Sequence, residues 1–136
     1  MSSRRHISLI VLACSAATAS ADGIDGTAPL ECTAERGHDC LPTKDSCGPL
    51  ERESKQKPVL NIDFAKGEVH SPFRTDTLRV NHSLATAEAL ILQGGEDRGF
   101  AWSAIVKKKT GAFTISIADR EGAYVIFGTC KLAKTS

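Results

Sequence analysis

Residues 99–130 read Gly-Phe-Ala-Trp-Ser-Ala-Ile-Val-Lys-Lys-Lys-Thr-Gly-Ala-Phe-Thr-Ile-Ser-Ile-Ala-Asp-Arg-Glu-Gly-Ala-Tyr-Val-Ile-Phe-Gly-Thr-Cys. Large apolar side chains recur at every second position in three runs, over residues 100–106, 113–117 and 124–129, which is the period of a half-buried β-strand. Turn-forming residues separate these runs. Such short links join antiparallel neighbours, because a parallel connection needs about a dozen residues or more. We therefore expect a three-stranded meander here.

The same alternation continues upstream in shorter runs, which cover residues 60–64, 69–70, 78–82 and 89–93. In the third of these runs His82 shares a face with Leu78 and Val80, so we expect it at the edge of the core. The stretch 84–91 fits either a strand or a short helix. With about six or seven short strands, residues 58–132 predict an all-β domain, a small antiparallel meander barrel or sandwich.

Residues 22–57 differ from the rest of the chain, because they hold few large aliphatic side chains and no aromatic one. Burial within such a segment cannot offset the entropy lost on ordering it. We expect an irregular segment that is held by its cysteines and leads into the β domain.

Residues 1–21 have the pattern of a signal peptide. Arg4 and Arg5 form a basic start, residues 7–17 carry no charge, and small residues precede a cleavage site after Ala21. The sequence therefore predicts a periplasmic or secreted protein.

Residues 11–14 read Val-Leu-Ala-Cys, which resembles a bacterial lipobox in which Cys14 is acylated. This alternative to simple cleavage stays open. Membrane association is expected only if Cys14 is lipidated, since no apolar run approaches the roughly 18 residues of a membrane span.

Removal of the leader leaves Cys32, Cys40, Cys47 and Cys130. An even number of cysteines in an exported chain predicts two disulfides, for which three pairings exist. We favour Cys40 with Cys47, a short local closure, and Cys32 with Cys130. A zinc site that includes His38 is disfavoured, because the cysteine spacing lacks the two-to-four-residue separation of zinc ligands.

Composition narrows the function further. The chain has 136 residues, 17 Lys and Arg against 16 Asp and Glu, and 41% hydrophobic residues. The balanced charge disfavours a nucleic-acid-binding protein and a highly charged disordered chain. The length suits a single domain.

The C-terminal part also resembles small uncharacterised exported proteins of proteobacteria. The shared pattern is Leu92-Gln93-Gly94, then Gly99, Trp102-Ser103, Thr110-Gly111 and Phe127-Gly128-Thr129-Cys130. This resemblance implies an exported, disulfide-bonded β domain of the bacterial envelope and carries no activity with it.

No motif for catalysis, metal binding or cofactor binding is evident. Ser103, with His70 or His82 as its base, lacks any nucleophile motif, and the turn carboxylates at 96–97, 119 and 121 are typical of exposed turns. We expect no catalytic residue, cofactor or metal. The candidate interaction surface consists of Lys107, Lys108, Lys109 and Trp102, although a lysine-rich hairpin also serves solubility and a Trp here is more often a core residue.

These observations favour a non-enzymatic envelope protein that binds a partner or has a structural role. One alternative is an inhibitor of a secreted hydrolase such as lysozyme, which would use residues 107–111. The other is a small-ligand carrier, which requires a pocket of a few hundred Å³ lined by Phe100, Trp102 and Phe113.

Overall fold

A computed structural model describes residues 23–51, 57–73 and 76–134. The predicted leader, with its cleavage site after Ala21 and the alternative site at Cys14, lies outside these residues. The described part of the chain contains ten β-strands and no helix. The strands are β1 (Leu30–Cys40), β2 (Gly48–Pro49), β3 (Val59–Asp63), β4 (Glu68–His70), β5 (Leu78–Arg79), β6 (His82–Ala85), β7 (Ala89–Glu96), β8 (Phe100–Lys107), β9 (Ala112–Ala118) and β10 (Ala123–Leu132).

All of these strands belong to one antiparallel sheet in the order β5-β4-β3-β1-β10-β9-β8-β7-β6, and β2 pairs with β1 outside this path. The predicted meander is β8, β9 and β10, whose registers pair Trp102 with Ile117 and Ile117 with Tyr124. The all-β antiparallel class is confirmed, with more strands than the six or seven expected.

The prediction that residues 22–57 are irregular is wrong over β1. Leu30, Cys32 and Ala34 are buried and alternate with partly exposed neighbours. This is the two-residue period of a strand, but two of its three buried positions hold cysteine and alanine instead of large aliphatic residues. β1 pairs with β10 on one side and with β3 on the other. Its neighbours therefore supply the burial that its own side chains lack.

One segment, residues 78–85, connects the two edges of the sheet. β5 pairs with β4, whereas β6 pairs with β7. Between them the backbone N–H of Val80 donates to the Gly67 carbonyl oxygen and that of Asn81 donates to the Gln93 carbonyl oxygen, both at 2.9 Å. The sheet therefore curls into a half-barrel around its apolar face.

This connection changes two expectations. The run 78–82 is not one strand but two short ones, so His82 turns outward and is exposed, and its predicted place at the core edge is wrong. The ambiguous stretch 84–91 is strand on both sides of a turn, where Thr86 Oγ1 accepts a hydrogen bond from the Ala89 N–H at 3.0 Å.

Gly94 is required where the two edges meet. A Cβ atom at Gly94 would collide with the Arg79 carbonyl oxygen and with the indole ring of Trp102. The missing side chain lets β5 and the Trp102 ring approach the β7 backbone closely.

Both favoured disulfides are present. Cys32 bonds to Cys130 across the β1–β10 pair, and Cys40 bonds to Cys47. Because these thiols are joined, they cannot form the alternative zinc site with His38. Disulfides are consistent with an oxidising location outside the cytosol.

The strand registers define two ends of the half-barrel. Leu30 pairs with Leu132, and the Cys130 N–H donates to the Gly111 carbonyl oxygen, so these residues mark what we call the lysine end. Cys40 pairs with Ala123, which pairs with Ala118, and these residues mark what we call the mouth end.

Candidate functional site

A cavity of about 260 Å³ opens at the mouth end of the half-barrel. Alternate residues of the meander form one wall, because side chains two apart on a strand share a face. These residues are Phe100 and Trp102 of β8, Ile115 and Ile117 of β9, and Tyr124 and Ile126 of β10.

The opposite wall comes from distant parts of the sequence. Leu60 of β3, Val69 of β4 and Leu78 of β5 contribute aliphatic side chains, and Leu50, Ser71 and Phe73 complete the lining. The curl of the sheet brings these residues over the meander.

Apart from the indole of Trp102, only three residues of the lining carry a polar side-chain group, namely Ser71, Asp119 and Tyr124. The cavity is therefore an apolar chamber with a few polar groups, which is the usual composition of a small-molecule site.

Asp119 is held in place by the turn that joins β9 to β10. Its Oδ1 accepts hydrogen bonds from the backbone N–H groups of Glu121 at 2.8 Å and Gly122 at 2.9 Å. Its own N–H donates to the Gly122 carbonyl oxygen at 2.9 Å. Among the described residues it forms no ion pair with a lysine or arginine. A carboxylate is thus fixed in the wall of an apolar cavity.

The phenol of Tyr124 reports the electrostatics of this end. Desolvation raises its pKa above the ordinary value of 10.0, and the negative charges of Asp119, Glu121 and Asp39 raise it further. Three carboxylates therefore lie close enough to the phenol to act on it.

A second, polar cleft of about 270 Å³ adjoins the cavity and shares Phe100 and Asp119 with it. Its other walls carry both charge signs, and Arg98 Nη2 lies 3.4 Å from Asp76 Oδ2. The cleft is therefore lined by side chains of both charges, whereas the cavity is lined mainly by apolar side chains.

Trp102 is a core residue, as expected, and also part of the cavity wall. Its indole Nε1 is buried without a hydrogen-bond partner among the described residues. The Nε1 edge lies against Gly94, at the junction of β5 and β7.

The structure does not bring Lys107, Lys108 and Lys109 together with Trp102. These lysines lie around the β8–β9 turn at the lysine end, and Trp102 is buried toward the mouth end. Lys131 lies at the lysine end too, where its Nζ is 3.0 Å from Glu31 Oε1.

The residues considered for catalysis are not adjacent: His82 of β6 and Ser103 of β8 lie on either side of Gln93 of β7, with which both pair. Ser103 is exposed on the outer face of β8, paired with Gln93 and Ser116. His70 instead contacts Thr77, with 3.3 Å between Nδ1 and Oγ1. Within the described residues no cluster of three or more His, Cys, Asp or Glu side chains could hold a metal ion.

Sequence reasoning missed Asp119 and Tyr124 as lining residues, although the signal for both was present. Asp119 continues the odd-numbered positions of Ile115 and Ile117, and Tyr124 is in phase with Ile126. Extending the two-residue period into the turn would have placed both on the inner face. Phe113, in contrast, was expected in the pocket but does not line this cavity.

In residues 23–51, 57–73 and 76–134, no helix is long and apolar enough to cross a membrane. Comparisons with protein-family models, curated proteins and solved structures found no match to this chain.

Proposed function

We propose that this protein is a non-enzymatic binding protein that works outside the cytosol and holds one small, largely apolar molecule in the mouth-end cavity. Of the three roles considered, this is the small-ligand carrier. The observation that carries the proposal is the cavity itself, which lies inside a disulfide-bonded sheet and has almost entirely apolar walls.

The size of the cavity sets the size of the ligand. An engineered apolar cavity of about 150 Å³ binds benzene, and drug-sized ligands occupy pockets of roughly 300–1,000 Å³. A volume of about 260 Å³ therefore suits a molecule with one aromatic ring, or an aliphatic body of similar size.

The location is part of the proposal. Two disulfides favour an oxidising compartment, and the leader pattern of residues 1–21 favours export to the periplasm or beyond. Acylation of Cys14 would tether the protein to a membrane, whereas cleavage after Ala21 would release it.

Binding without chemistry is supported by the positions of the reactive side chains. The exposed Ser103 lies on the opposite face of β8 from Trp102, which lines the cavity. The cavity presents a fixed carboxylate, a phenol and a hydroxyl to a ligand, and the hydrolytic pair considered from the sequence is not assembled there.

Trp102 is the chain's one tryptophan, so its fluorescence reports this site alone. We expect phenylethanol, a neutral one-ring probe, to change the Trp102 emission saturably in the oxidised protein. The matched measurement uses Val69→Phe, which places a ring in the cavity and should abolish the response. An emission that stays constant up to millimolar phenylethanol would contradict the proposed function.

A further inference from the structure

Aromatic rings form an unusual share of the cavity wall. Phe73, Phe100, Trp102 and Tyr124 all line it, which is four of the seven aromatic residues in the chain. The faces of aromatic rings attract cations through their quadrupole, and aromatic-lined pockets bind ammonium groups in this way.

The one carboxylate of the lining belongs to Asp119. Its Oδ1 is occupied by two backbone N–H groups, which fixes the position of the carboxylate while its charge is not paired with a basic side chain of the described residues. A ligand in the cavity therefore meets a carboxylate beside apolar walls.

The charges of the two ends reinforce this preference. At the mouth end the carboxylates of Asp119 and Glu121 act on the Tyr124 phenol. Asp39 acts on it too, but Lys44 offsets its charge from 3.3 Å. Arg120 faces the adjoining cleft rather than the cavity lining.

At the lysine end, residues 107–109 and Lys131 present positive charge. Carboxylates at the mouth favour the approach of cations over that of anions.

We propose that the ligand is a small organic cation, an amine or quaternary ammonium compound with an apolar body of about one ring. The ammonium group lies beside Asp119 at the mouth, and the apolar body fills the chamber between the meander and β3 to β5. This inference rests on the proposed function and adds the charge of the ligand to it.

Three probes with the same phenylethyl skeleton test the charge. Phenylethylamine is a cation at neutral pH, phenylethanol is neutral and phenylacetate is an anion. We expect the amine to bind roughly tenfold more tightly than the alcohol, because a charge-assisted contact is worth about 1.4 kcal/mol or more. Phenylacetate should bind more weakly than both.

The variant Asp119→Asn removes the charge and keeps the Oδ1 acceptor of the turn. It should lose the preference for the amine over phenylethanol. The matched control is Asp63→Asn at the lysine end, where Asp63 Oδ1 also accepts a turn N–H, from Lys66 at 3.1 Å. This control should keep the full preference.

A second variant, Glu121→Gln, removes a negative charge near the mouth without altering the side chain that caps the turn. It should reduce the preference for the amine by a smaller factor than Asp119→Asn does. Equal binding of amine and alcohol to the native protein would overturn the inference and leave the proposed function standing. If none of the three probes binds, the proposed function fails and the inference fails with it.

Discussion

The two ends of the half-barrel are built from the same strands, yet one end is filled and the other is hollow. At the lysine end the segment before β1 covers the core. Ile24 is buried there, Gly23 packs against Leu132, and Gly26 packs against Leu90 and Phe64. At the mouth end the covering side chains leave a cavity. The strand pattern therefore builds the walls, whereas the covering segments determine whether the interior is open.

The disulfides differ between the ends, and their removal gives the largest expected effect. Cys32–Cys130, toward the lysine end, closes a sequence separation of 98 residues, while Cys40–Cys47 at the mouth closes one of 7. In the chain-entropy model these bonds contribute about 4.7 and about 2.5 kcal/mol. Replacing both cysteines of a pair with Ala should lower the free energy of unfolding more for Cys32–Cys130 than for Cys40–Cys47.

Urea unfolding of the two double variants measures this difference. The apolar environment of Cys32 and Cys130, both buried, keeps Ala an acceptable replacement. A larger loss from the Cys40–Cys47 variant would contradict the expectation that the disulfide closing the longer loop stabilises the protein more.

The same substitution at two buried valines tests whether one end is full and the other hollow. Val106 lies between Leu90 and Phe113 on neighbouring strands and is 1% exposed, whereas Val69 lines the cavity and is 3% exposed. Val106→Phe overpacks the core and should cost about 1–3 kcal/mol. Val69→Phe enters empty space and should change the free energy of unfolding by less than about 1 kcal/mol.

The measurement is again urea unfolding, with native disulfides intact. Equal destabilisation by the two substitutions would mean that the mouth end is packed as tightly as the lysine end and has no room for a ligand.

The smallest effect concerns the alkaline titration of Tyr124. Its pKa in the folded protein lies above 10.0 because of desolvation and the charges of Asp119, Glu121 and Asp39. As pH rises above 10.0, the unfolded chain loses this proton first, so stability falls until the folded phenol has also ionised. Tyr124→Phe should lose less stability over that pH range.

Tyr124 is the chain's one tyrosine, so tyrosinate absorbance follows it directly. The midpoint should be higher in the folded protein than in urea, and Asp119→Asn should move it back toward 10.0. A folded midpoint at or below the unfolded one would contradict this desolvated environment beside carboxylates.

Much of the scaffold could be predicted from the sequence. The two-residue period is local, so it revealed the meander. The even count of cysteines left three pairings open, and the favoured one is present. β1 was missed because its alternation uses Cys32 and Ala34 instead of large aliphatic residues. Its stability comes from pairing with strands that are distant in the sequence, and a local pattern does not reveal such pairing.

The site was harder to predict for a related reason. The sequence placed Phe100 and Trp102 on one face, but a cavity depends on what lies opposite them, and Phe73 and Val69 arrive there only through the curl of the sheet. Asp119 was interpreted as a turn residue, which it is. It also lines the cavity, and this could have been predicted only by extending the two-residue alternation of β9 one position into the turn.

Whether the mouth-end cavity binds a small organic cation is tested most directly by a nuclear magnetic resonance titration of the uniformly ¹⁵N-labelled, oxidised protein with phenylethylamine. We predict saturable shifts of the Trp102 indole signal and of the backbone signals of Ile117, Asp119 and Tyr124, with those of Val106 and Lys108 unchanged. Shifts confined to the lysine end, or none at concentrations that saturate a millimolar site, would contradict binding in the cavity.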